Sequence, residues 1–113
     1  MVVQNFTQKD EDLAVFAKAL SHPTRVAILK FLASLDCCYF GAINDELTIS
    51  KATVSQHLKE LKSAGLIEGT IEYPKIKYCI NPEKWNEAKK IFEQFFDLGI
   101  PANNDCHQTK NEE

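Results

Sequence analysis

Leu13, Phe16, Ala17 and Leu20 recur at the spacing of one helical face, and they follow the polar run Thr7-Gln8-Lys9-Asp10. That pattern predicts a first amphipathic helix. Ser21-His22-Pro23 then interrupts it. A serine ahead of a proline is a helix-start signal, because proline fixes φ and lacks an N–H that would be unpaired there anyway. A second helix is predicted from about Thr24 to Leu35, burying Val26, Leu29 and Leu32 or their neighbours. Asp36-Cys37-Cys38-Tyr39 opens a short third helical element with Phe40, Ile43 and Leu47 as its apolar positions. Ser50 is placed to cap a fourth helix and Gly65 to end it.

Beyond Gly65 the period changes. Leu66–Glu72 and Ile76–Ile80 read as two short strands around Tyr73-Pro74-Lys75, a hairpin. Asn81-Pro82 restarts a helix with a broad apolar face of Trp85, Ala88, Ile91, Phe92, Phe95 and Phe96, which Gly99-Ile100-Pro101 ends. The predicted order is α-α-α-α-β-β-α, mainly helical with one small hairpin. Three helices ending in a hairpin define a winged helix-turn-helix, whose second motif helix enters the major groove. Residues 1–101 are expected to form one DNA-binding and dimerisation domain, and 102–113 a flexible polar tail. The breaks are short, with no internal repeat, as in a single compact unit.

On the fourth helix, Leu58 and Leu61 fall within about 40° of Val54 at 100° per residue, making the buried seam. The opposite side carries Ala52, Ser55, Gln56 and Lys59, flanked by Lys51 and Thr53, with Ser50 at the entry. Small residues permit close approach to a duplex, glutamine can pair with adenine, and hydroxyls and lysines reach phosphates. The positive end of the helix dipole adds to this. A solvated polar face is the plain alternative; the near absence of acid, with only Glu60 off to one side, favours DNA. His57 projects about 60° from Val54, at the edge of the seam, and reads as a packed, hydrogen-bonded side chain. Lys75 and Lys77, at or near the hairpin tip, would meet the backbone.

The chain has 113 residues and a formal charge of −3, which taken alone disfavours a nucleic-acid partner. Its distribution changes that picture. Residues 21–80 net +1 and residues 50–64 net +2, while residues 81–113 carry −3. No apolar run approaches the roughly 18–20 residues of a membrane span, and the N-terminus lacks a secretory pattern, so a cytoplasmic location is expected. Histidines at 22, 57 and 107 lie on separate elements, with no nucleophile–base grouping or phosphate loop, so no enzyme is expected.

Ala19-Leu20-Ser21-His22-Pro23-Thr24-Arg25-Val26-Ala27-Ile28-Leu29, then Thr53 to Leu61, then Ala64-Gly65-Leu66-Ile67 strongly resemble the ArsR/SmtB-type bacterial repressors over roughly residues 10–82. The resemblance implies a homodimeric winged-helix repressor that binds an inverted-repeat operator in double-stranded DNA. It also implies a dimer interface on the first and last helices, here Leu13, Phe16, Trp85, Phe92, Phe95 and Phe96. The broad terminal face calls for a partner surface on its own account.

The resemblance further implies release by a thiol-binding effector: As(III), Sb(III), zinc, cadmium or lead. No cofactor is otherwise required. The family's arsenic sensors look like Cys-x-Cys ahead of the third helix, whereas here Phe40 stands where the second cysteine is expected. Cys37 and Cys38 remain as two thiolates; the third would come from Cys106, Cys79 or a partner chain, and Cys106 is the candidate taken. In a reducing compartment the four cysteines are expected as thiols, ligands or redox sensors rather than staples. The alternatives are that Cys37 and Cys38 are small core residues, that the pair responds to redox state, or that the winged helix binds protein. The second metal site of the family, on the last helix, looks absent: residues 83–98 contain no histidine.

Overall fold

The computed structural model describes residues 5–102. Its elements are α1 (Gln8–Ala19), α2 (Pro23–Ala33), β1 (Tyr39–Phe40), α3 (Ile43–Leu47), α4 (Lys51–Ser63), β2 (Ile67–Glu72), β3 (Lys75–Ile80) and α5 (Pro82–Phe96). Five helices surround a small antiparallel sheet of order β1-β3-β2. None of the described helices is long and apolar enough to cross a membrane.

Local chemistry explains most boundaries. Thr7 caps α1 through a reciprocal box with Asp10, each side chain accepting from the other residue's backbone N–H. At α2 the cap is His22, not Ser21: its Nδ1 accepts from Thr24 N at 3.1 Å, while Ser21 Oγ turns back to donate to Lys18 O. Pro23 takes the first helical position as predicted. Asn81 caps α5 by accepting from Lys84 N, and α5 closes at Phe96, ahead of Gly99.

The core is built from Phe16, Ile28, Leu29, Leu32, Ile43, Val54, Leu58, Leu61, Leu66 and Ile67 with Tyr78 and Ala88 at its edge. On α1, Phe16 and Ala19 are buried, whereas Ala17 and Leu20, expected on the seam, are exposed. On α2, Ile28 takes the inward place and Val26 remains 39% exposed.

One strand was not expected. Tyr39 pairs with Tyr78 and Phe40 with Lys77, so the stretch read as the start of a third helix is a third strand, and α3 begins only at Ile43. The Tyr39 ring fills the corner, edge-on to Phe31 at 5.1 Å, with its hydroxyl donating to Glu46 at 3.2 Å. The hairpin itself lies as predicted, with Glu72 opposite Lys75 at its tip. The tail assigned to 102–113 falls, from residue 103 on, outside the described residues.

Candidate nucleic-acid interface

Helix α4 is set by a cap at each end and a buried seam along its length. Ser50 caps its start, accepting from Thr53 N at 3.2 Å while its hydroxyl donates to Thr53 Oγ1. At the other end Gly65 N–H bonds to Lys62 O and Leu66 N–H to Leu61 O, the paired pattern that needs a left-handed residue between them. Gly65 supplies it, at φ +82°, and a side chain there would also meet the Lys84 stem at 3.3 Å. Along the helix runs the seam, where Val54, His57, Leu58 and Leu61 face inward. Lys51, Ala52, Thr53, Ser55, Gln56 and Lys59 are exposed along the other side. The first turn contains no acidic residue, so nothing offsets the positive helix end there.

The wing lies beside this face. A groove of about 350 Å³ between α4 and the sheet is lined by Ser55, Lys59, Lys62, Ser63 and Tyr78. A larger cleft of about 590 Å³ brings Lys51 and Ser55 of α4 together with Lys75 of the wing tip. Asp45 and Glu46 of α3 border the same cleft, so it carries both signs of charge. Lys77 is less free than its sequence position suggested. Its ammonium sits 3.0 Å from the Glu72 carboxylate. Gly69 leaves room for Lys62 to lie over the sheet, since a Cβ there would meet Lys62 Nζ at 3.2 Å.

His57 is packed as expected, at 8% exposure. Its Nδ1 accepts from Arg25 Nε at 3.0 Å, and its ring lies against His22 at a centroid distance of 4.3 Å. Burial first, then the electrostatic influence of His22 and Arg25, hold its pKa below the usual histidine value, with Glu60 opposing. An accepting Nδ1 requires the neutral ring. Arg25 was singled out only within the family-like motif; that it braces the reading helix was not visible in spacing.

The cysteines are arranged otherwise than expected. Cys38 forms a disulfide with Cys79, and Cys37 is a free, exposed thiol. Cys38 is therefore not half of a chelating pair with Cys37, because the antiparallel pairing of β1 with β3 places it opposite Cys79. Cys106 lies outside the described residues. Soft metalloids need several free thiolates in one place, and among the described residues no group of three or more His, Cys, Asp or Glu could hold an ion. With Cys38 bonded to Cys79, the residues described do not fit the metal or metalloid that the family implies.

The expected interface residues divide. Phe16 is 3% exposed and belongs to the chain's own core, because α1 and α5 pack against one another. Leu13, Trp85 and Phe92 are half-buried, and Trp85 and Phe92 line an apolar hollow of about 290 Å³ with Phe16 and Leu20. Phe95 and Phe96 remain open, Phe96 at 76%.

A helix capped at both ends, preceded by a short helix and followed by a hairpin wing, defines a winged helix-turn-helix protein. A helix-turn-helix domain family matches residues 20–70. The chain is 34% identical over 87 residues to the uncharacterized HTH-type transcriptional regulator MJ1325 of Methanocaldococcus jannaschii, covering 77% of this chain and 98% of that protein. Among solved structures, it is similar to an ArsR-like transcriptional regulator from Rhodococcus sp. RHA1, with TM-score 0.63 and 27% identity over 76% of this chain and 78% of that one. It is also similar to the cadmium metal-sensor CmtR from Mycobacterium tuberculosis, with TM-score 0.51 and 26% identity over 87% and 97%. The chain belongs to the ArsR/SmtB-type winged-helix transcriptional regulators.

Proposed function

We propose that this regulator is a cytoplasmic homodimeric repressor that binds an inverted-repeat operator in double-stranded DNA. The observation that carries this is the exposed side of α4: Lys51, Thr53, Ser55, Gln56 and Lys59 stand opposite a buried seam, with no acid in the first turn. Gln56 and Ser55 would read base edges, and Ser50, Lys51, Thr53 and Lys59 would hold phosphates, with Ala52 permitting close approach. Lys75 would touch the backbone from the wing, and Lys77 would do so only by leaving Glu72. The open aromatics of α5, Phe95 and Phe96, would be covered by the second copy together with Leu13, Trp85 and Phe92. Release by a bound metal or metalloid forms no part of the proposal, given the donor set described above.

Selection of duplexes from a random library tests it. The expected product is a palindromic site bound as a dimer, with affinity falling steeply as salt rises because each neutralised phosphate releases counterions. Failure to bind any duplex at moderate salt, in either redox state, overturns the proposal in favour of a winged helix that binds protein.

A further inference from the structure

The register of β1 against β3 decides which cysteines meet. Tyr39 stands opposite Tyr78 and Phe40 opposite Lys77. One step outward on both antiparallel strands sets Cys38 opposite Cys79, and their Cα atoms are 4.6 Å apart, the separation of a non-hydrogen-bonded cross-strand pair. Both residues are only partly buried. They border a surface cleft of about 450 Å³ with Leu35, Ile80 and Trp85.

The bond encloses a 41-residue separation that contains α3, α4, β2 and nearly all of β3. The whole reading unit and its wing are thus one closed loop, tied at its base. Apart from the disulfide and the contacts of the Tyr39 side chain, β1 is held by a ladder of two residue pairs and a long bond from Gly41 N to Ile76 O at 3.4 Å. A strand so short is marginal without a further tie, and a cross-link mainly restricts the freedom of the chain it encloses.

We propose that Cys38 and Cys79 form a dithiol–disulfide exchange site for low-molecular-weight thiols, and that its oxidation state sets whether β1, and with it the entry to α3, is fastened to the wing. In the reducing direction a small thiolate attacks one of the two sulfurs. A mixed disulfide forms, and the other cysteine leaves as a thiolate with the bonding electron pair. A second small thiolate attacks the mixed disulfide, releasing the first cysteine. Two small thiols become one small disulfide, and their two protons end on Cys38 and Cys79. Cys37, though free and adjacent, takes no part. The exchange site stands independently of the operator reading; only its consequence for DNA rests on it.

Wild-type protein equilibrated in glutathione buffers of graded redox poise tests this without any substitution. Disulfide mapping should find Cys38 joined to Cys79 at the oxidising end, with Cys37 open to alkylation, and both bonded cysteines alkylated at the reducing end. Hydrogen exchange at Tyr39, Phe40 and Gly41 should be at least tenfold faster in the reduced protein. A bond that involves Cys37, a bond in the folded protein that glutathione does not open, or equal exchange in the two states overturns the site. For the consequence, the probe is a duplex selected from a random library by the oxidised protein. Its affinity should differ at least fivefold between states, Cys37→Ser should retain the difference, and Cys79→Ser should sit at the reduced value whatever the buffer. Equal affinities overturn the regulatory role. Binding to no duplex in either state overturns the operator reading instead, and the exchange measurement still decides the site.

Discussion

Arg25 donates from Nε to Nδ1 of His57 at 3.0 Å and from a terminal nitrogen to the Lys18 carbonyl at 2.9 Å. One planar guanidinium thereby joins the last turn of α1 to the inner side of the reading helix. Arg25→Ala removes both bonds and leaves the buried His57 nitrogen unpaired, which costs about 1–3 kcal/mol. Arg25→Lys should recover little, because a single ammonium does not reproduce the fork. Urea unfolding of the three proteins at pH 7.5 measures this.

The same contact fixes a pH response. The folded state holds the pKa of His57 below 6.5, chiefly by burial and then by the electrostatic influence of His22 and Arg25. Between that lowered pKa and 6.5 the unfolded chain binds more protons at this position than the folded one, so stability rises with pH there. The His57 contribution is complete above about pH 6.5 and declines as the solution is acidified below it. His57→Gln should lower stability at neutral pH and flatten the slope between pH 5 and 6.5. A slope equal to wild type in that window refutes the assignment.

Gly65→Ala tests the hinge between α4 and the wing. At φ +82° a side chain costs about 1–2 kcal/mol in backbone conformation, and the Lys84 stem must also shift. The melting temperature should fall by several degrees, whereas Gly99→Ala, with open space around it, should leave it unchanged.

Two substitutions on α4 should separate affinity from sequence preference. Lys59→Ala is expected to weaken all duplexes alike and to reduce the salt slope by about one. Gln56→Ala is expected to cost about 1–3 kcal/mol at one base pair and to leave the salt slope in place. Titrations of a selected duplex and its single-base variants at three salt concentrations check both.

Phe96→Glu, at the most open aromatic of α5, should turn a dimer into a monomer in sedimentation while leaving helix content intact. A monomeric wild type refutes the interface.

The helices and hairpin were legible because their signals are local. Ser50, Gly65 and Asn81-Pro82 each act within one turn, and the α4 seam of Val54, Leu58 and Leu61 follows from spacing alone. What the sequence hid depends on distant partners. Two residues, Tyr39 and Phe40, are too few to show alternation, and they become a strand only because β3 offers an edge. The Cys38–Cys79 pairing follows from that same register and so was invisible with it. His22 rather than Ser21 caps α2 because it stands directly before Pro23 at the first helical position, whereas the packing of its ring on His57 depends on a neighbour from another helix.

The Lys77–Glu72 pair at the wing joins a half-buried lysine to an exposed carboxylate and is worth little to stability. Its consequence concerns competition. A phosphate reaching Lys77 must first displace a carboxylate, so the wing exchanges one anion for another, and added salt loosens both partners together. Among the wing lysines only Lys75 is left to respond to ionic strength as an unengaged cation would. On the proposed operator reading, most of the salt sensitivity of duplex binding would then originate on α4, and a Glu72→Gln variant would grip DNA more tightly yet lose it faster as salt is raised.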